Sequence, residues 1–199
     1  MGVTGHRSNL MDQATLARLA PVVQQVLQVC ALSGSQDRWL ISGMADGVDL
    51  LVTTMGAEMG YRLEAILPFA RSAYVMAFPE AVRRQFEDLL ARPGLAQVVE
   101  IYSGVVPPPG EARDAAFLAA GRRMLDISKC LLAIWDGAPA RGPGGTGQIV
   151  AEAIARGLPV LWIDLAGHLR VHRGRAGWAV VEPAAAWEVV SVGQFPGSG

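Results

Sequence analysis

Apolar positions recur along this chain with two alternating periods. From Asp12 onward Leu16, Leu19, Val23, Val26, Leu27 and Cys30 keep helical spacing, which predicts a helix from a cap at Asp12 to a stop at Ser33-Gly34-Ser35. Short apolar runs alternate with such stripes: 38–42, 62–69, 129–135 and 158–164 read as buried strands, and 97–102 as an edge strand. Met1 to Gly5 reads as the end of a first strand, so abrupt that an upstream segment is expected to be missing through a misplaced start or truncation. Further helices are expected after Gly47, over 72–91 with a break at Phe78-Pro79 and a stop at Arg92-Pro93-Gly94, around Ala116 to Leu125 after the loop at 107–110, and from Ile149 to Arg156.

Strands alternating with helices of this length predict an α/β fold: a Rossmann-like, doubly wound, mostly parallel sheet with helices on both faces. The expected central order is 3-2-1-5-6, with the fourth strand at the far edge beside the third. One domain spans 1–165. Residues 166–199 form an extension packed on it, basic and irregular over 168–175, with a last short strand at 178–181 and fraying from 194.

Right-handed crossovers place every strand-to-helix loop on one rim, where doubly wound sheets bind ligands. Three glycine-bearing loops leave strands there: Gly5-His6-Arg7, Ser42-Gly43-Met44-Ala45-Asp46-Gly47-Val48-Asp49, and Asp136-Gly137 leading to Gly144-Gly145-Thr146-Gly147-Gln148. A glycine-rich turn before a helix presents backbone N–H groups to an anion, and phosphate is the obvious occupant. A tight connection that needs glycine only for steric reasons makes the same pattern.

His6 and Arg7 are candidates for phosphate or base, and Asp49 for a ribose hydroxyl or a metal. Asp46 has the same claim, with helix capping the stronger reading. Asp136 serves as a ligand or an Asx turn. Arg122, beside Gly121, offers a guanidinium fork to phosphate or faces solvent. Glu111, Arg113 and Asp114 read as a second rim cluster or, the stronger reading, as a helix start whose acids complement the dipole. Trp39, Trp135 and Trp162 read as core.

Composition narrows the field. The 199 residues are 51% hydrophobic with a formal charge of −1 and no block of like charge, which disfavours nucleic acid and membrane surfaces as partners. Cys30 and Cys130 stand alone in apolar surroundings, as a reducing cytoplasm permits. No signal peptide, membrane-spanning run, required cofactor, metal-ligand spacing or nucleophilic triad is expected.

Gly-Val-Thr-Gly-His-Arg, Ile41-Ser-Gly-Met-Ala-Asp-Gly-Val-Asp49, and Gly144-Gly-Thr-Gly-Gln-Ile-Val after Ala-Ile-Trp-Asp-Gly together resemble the SLOG superfamily. That group joins the LOG phosphoribohydrolases, DprA-type DNA-processing proteins and nucleotide-sensing domains. The resemblance covers about residues 1 to 165. It implies a ligand-sensing or nucleotide-binding module holding a nucleotide or nucleotide derivative, and a homodimer. A LOG-like hydrolase of the N-glycosidic bond of a nucleoside monophosphate is the alternative, with Glu152, Asp46 or Asp136 as acid–base group; a DNA-associated role of the DprA kind is a third reading. Pro143-Gly144-Gly145-Thr146-Gly147 matches the first half of the LOG motif Pro-Gly-Gly-x-Gly-Thr-x-x-Glu. Gln148 replaces its Thr, and its Glu falls on Ala151, leaving Glu152 rotated by roughly 100° on a helix.

Overall fold

A computed structural model describes residues 1–32, 38–92, 96–102, 104, 106–107, 109–186 and 188. The Ser33-Gly34-Ser35 stop, the Pro93-Gly94 pair and the tail from 194 lie outside the described residues. In chain order the elements are β1 (Gly2–Gly5), α1 (Gln13–Leu32), β2 (Trp39–Ser42), α2 (Val48–Glu58), β3 (Arg62–Leu67), α3 (Arg71–Val75), α4 (Glu80–Ala91) and β4 (Ala96–Glu100). There follow α5 (Glu111–Ile127), β5 (Leu131–Ile134), α6 (Thr146–Ala155), β6 (Val160–Ile163), β7 (Leu169–His172) and β8 (Trp178–Val180). The expected break at Phe78-Pro79 separates α3 from α4.

The sheet runs β4-β3-β2-β1-β5-β6-β7-β8 and is parallel from β4 to β6. Its winding reverses between β1 and β5. Side chains alternate across the sheet. Leu132 and Ile134 of β5 join a cluster with α1, α2 and α4, whereas Leu131, Ala133 and Trp135 join α5 and α6 on the opposite face. Strands buried on both faces explain why these runs are continuously apolar.

The α1 helix buries Leu16, Leu19, Val23, Val26, Leu27 and Cys30 against the sheet, and the Asp12 carboxylate accepts the Thr15 amide at its start. By length and composition α1 is apolar enough to cross a membrane, but its apolar stripe is part of the core. Pro21 lies within it. At α5, Glu111 and Asp114 occupy the first turn, where acids complement the helix dipole.

The stretch read as irregular over 168–175 instead contains β7, antiparallel to β6, with β8 antiparallel to β7. Leu169 and Val171 alternate inward and are buried, while Arg170 and His172 point the other way. Arginine and histidine at the outward positions hid a two-residue period from the composition of the segment. Ala186 then returns to the core beside α1.

Because β7 completes the core, Leu169→Ala is expected to cost about 2–5 kcal/mol in urea unfolding. Val180→Thr, at a position 72% exposed on β8, should stay within about 0.5 kcal/mol of the parent. A cost below about 1 kcal/mol for Leu169→Ala would remove β7 from the cooperative core.

Candidate functional site

The three glycine-bearing loops meet at the carboxyl rim, around a cleft of about 380 Å³, in the size range of small-ligand sites. The cleft crosses the strand ends in sheet order. Ile66 and Pro68 line it from β3, Gly43, Ala45 and Asp49 from the turn after β2, Gly5, His6 and Arg7 from β1, and Trp135 and Asp136 from β5. Arg141 to Gly147 close the far end, with Phe117 and Ala120 of α5 as an apolar wall.

At that end Gly145 is the N-cap of α6, and its carbonyl accepts the Gln148 and Ile149 amides. The Gly145 amide donates to Gly142 O at 3.1 Å, and the Gly144 amide to Gln148 Oε1 at 2.9 Å. The amides of Thr146 and Gly147 have no hydrogen-bond partner among the described residues, and both residues line the cleft. Helix N-termini leave such donors open, and the helix dipole adds positive potential there. Part of the demand for glycine is steric: Gly144 has φ +76°, and a Cβ on it would sit 2.8 Å from the α5 backbone at Phe117 and Leu118.

His6 and Asp136 pair across the switch point. His6 Nε2 lies 3.3 Å from the Asp136 amide and 3.2 Å from its carboxylate. One ring nitrogen cannot accept from the amide and donate to the carboxylate at once, so this pair has two hydrogen-bonding states. Asp136 Oδ1 also accepts the Ala138 amide at 2.9 Å, an Asx turn. That backbone bond and the nearby His6 hold its carboxyl below the usual range. The Asx-turn reading of Asp136 holds, and the residue also lines the cleft.

Asp46 corrects the capping expectation. The N-cap of α2 is Gly47, with no side-chain cap, and Asp46 instead accepts Arg7 Nε at 2.7 Å and the Ser8 hydroxyl. Burial opposes its charge, but these hydrogen bonds outweigh burial and keep its carboxyl low. Arg7 is thereby fixed at the cleft, its side chain 43% exposed. Asp46, Ser42 and Gly47 stand behind the lining rather than in it.

Asp49 is 7% exposed, and its Oδ2 accepts Ser42 Oγ at 3.0 Å and the Ala45 amide at 3.3 Å. Ser42 Oγ in turn accepts the Met44 amide. Burial pushes the Asp49 carboxyl up to about 7, against the pull of those two hydrogen bonds. Met44, fully buried, has φ +54°, a strained conformation for a side chain of its size.

Arg122, Gln148 and Glu152 correct the remaining expectations. Arg122 forms a forked pair with Glu152 (Nε–Oε2 2.9 Å, and 3.0 Å to Oε1), and Arg156 approaches the same carboxylate. None of these three lines the cleft. Arg122 holds the Glu152 carboxyl below its usual range despite partial burial, the opposite of a proton donor's tuning. Glu152 Oε1 accepts Gln148 Nε2 at 3.3 Å, so the chain Arg122–Glu152–Gln148–Gly144 braces the glycine-rich turn from behind. Gly121 serves packing between α5 and α6: a Cβ there would fall 2.4 Å from Ile149.

Sequence reasoning missed Tyr74, Phe117 and Arg141 as lining residues. Tyr74 reaches the rim from the five-residue helix α3, whose position depends on where β3 ends; no local motif announces it.

The raised Asp49 pKa has a thermodynamic sign. Between pH about 4 and about 7 the folded chain keeps a proton that the unfolded chain has lost, so stability falls as pH rises through this window and is flat above it. Asp49→Asn mimics the neutral acid. In urea titrations it should match the parent near pH 4 and exceed it at pH 8 by up to roughly 4 kcal/mol; equal stability at both pH values would mean that Asp49 ionises freely.

No family model matches this sequence. No curated protein matches it either. Among solved structures the chain is similar to DNA processing protein A (DprA) from Streptococcus pneumoniae, with a TM-score of 0.49 and 18% identity over 81% of this chain and 49% of that one. The chain thus spans about half the length of that protein.

Proposed function

We propose that the chain binds a nucleotide or nucleotide-derived ligand, with its phosphate on the Thr146 and Gly147 amides, as a ligand-sensing or nucleotide-binding module. One observation carries this reading: two residues whose amides have no partner among the described residues, at the N-terminus of a ten-residue helix, line a cleft at the switch point of a doubly wound sheet. Arg141 stands at the same end and Arg7 further along. Asp136 and Asp49 offer acceptors for sugar hydroxyls, and the apolar walls at Phe117, Ile66 and Tyr74 suit a planar ring.

Hydrolysis of an N-glycosidic bond is the second reading, favoured by a carboxyl ionising near neutrality in the cleft. Its acid–base group is then Asp49, since Glu152 is held outside by Arg122. Release of free base from a nucleoside monophosphate, lost in Asp49→Asn, is its signature.

The binding reading is tested by Thr146→Pro. Proline at the first helical position removes one N–H yet suits the helix, and Gly145, at φ −68° and ψ 157°, already has the backbone that precedes proline. At ligand about 100-fold above Kd, AMP or ADP-ribose should stabilise the parent by about 2.7 kcal/mol, or roughly 5–10 °C in Tm. Thr146→Pro should melt like the ligand-free parent with or without nucleotide, and Thr146→Ala should retain the shift. A shift that survives Thr146→Pro moves the ligand elsewhere; no shift from either compound ends the reading.

A further inference from the structure

The cleft that offers amides to an anion also holds carboxyl groups, and their charges are balanced unequally. Asp136 has His6 beside it, and Asp46 has Arg7. Asp49 is hydrogen-bonded only to neutral groups, Ser42 Oγ and the Ala45 amide, among the described residues. Asp49 lies in the first turn of α2, which follows β2, and the open amides in the first turn of α6, which follows β5; β1 alone separates these two strands. Asp49, Thr146 and Gly147 line the same cleft of about 380 Å³. Charges lining one cleft are screened less than charges on an open surface.

Each element around Asp49 contributes to its field. Arg7, on the turn from β1, is positive throughout and already engaged by Asp46. Asp46, next to α2, is negative near neutrality. Burial keeps the Tyr74 phenol of α3 neutral, pushing its pKa up. His6 and Asp136 occupy the β1 and β5 side. An incoming dianion therefore meets a buried acid whose nearby cation, Arg7, is hydrogen-bonded to Asp46 instead, and the complex is favoured when that acid is neutral.

We propose that anion binding in this cleft is coupled to protonation of Asp49, so that the ligand is held more tightly as pH falls through neutrality. The coupling rests on the phosphate site at Thr146 and Gly147. It is reciprocal: the anion favours the neutral acid, and binding just above neutrality takes up a proton from solvent. A carboxyl titrating near 7 in the free protein places the effect in the physiological range. A nucleotide sensor built this way reports ligand and pH together.

Sulfate is the probe, because it stays a dianion across the window and any pH dependence belongs to the protein. Calorimetric titrations at pH 6.5, 7.25 and 8, in two buffers of different ionisation enthalpy, give affinity and proton uptake together. The parent should lose roughly five- to tenfold in affinity from pH 6.5 to 8, the range one linked proton allows, and take up a fraction of a proton at pH 7.25. Asp49→Asn should flatten the profile and abolish most of the uptake; His6→Asn should leave both largely in place. A flat parent profile, a slope kept in Asp49→Asn, or a slope lost only in His6→Asn overturns the coupling. Sulfate binding that is flat with pH yet lost in Thr146→Pro refutes the coupling while the phosphate site stands, whereas no sulfate binding in any variant removes both.

Discussion

The parallel ladder between β1 and β5 is the constraint from which the rest of this structure follows. Gly2 to Gly5 register with Leu131 to Ile134, and the His6 amide continues the ladder onto Ile134 O. Because the chain winds one way from β1 and the other way from β5, their outgoing loops turn to opposite faces and leave a gap between them. Everything attributed to the site borders that gap. The β2 turn reaches it because β2 pairs with β1 in register, and the open end of α6 reaches it because α6 follows β5.

The gap is held open by polar ties between neighbouring loops. Arg7 to Asp46 joins the β1 and β2 turns, His6 to Asp136 joins the β1 and β5 turns, and the brace from Arg122 to Gly144 fixes the last loop from outside. Each tie is partly solvated, so its net energy is small, and its effect is geometric: it fixes which groups face the cleft. Asp49 is the exception. It lies inside and is held by neutral donors, and a neutral pH therefore costs the fold stability that an uncharged acceptor such as asparagine at that position would retain.

Much of this was legible in the sequence, and the legible parts share a cause. Buried parallel strands and amphipathic helices carry strong periods, so strand order from β4 to β6 follows from pattern and handedness. Loop convergence on one rim follows from the same rules. What the sequence concealed depends on tertiary partners. The period of β7 was masked by Arg170 and His172, the capping preference of aspartate at 46 gave way to an arginine 39 residues away, and Tyr74 enters the cleft through chain geometry alone.

Glu152 illustrates how far one residue of register matters. On α6, Gln148 and Glu152 are four apart and share a face, so their side chains meet, and that face looks toward Arg122 of α5 rather than toward the cleft. An acid at position 151 would lie a hundred or so degrees around the helix. The chain thus uses its glutamate as a brace: paired with arginine, it is stabilised as the anion and is a poor proton donor near neutrality. The cleft-lining carboxyl that burial pushes up toward neutrality is Asp49, in the first turn of α2 on the far side of β1. In the proposed coupling, an anion on the open amides of α6 and this acid act on each other through the field, without contact.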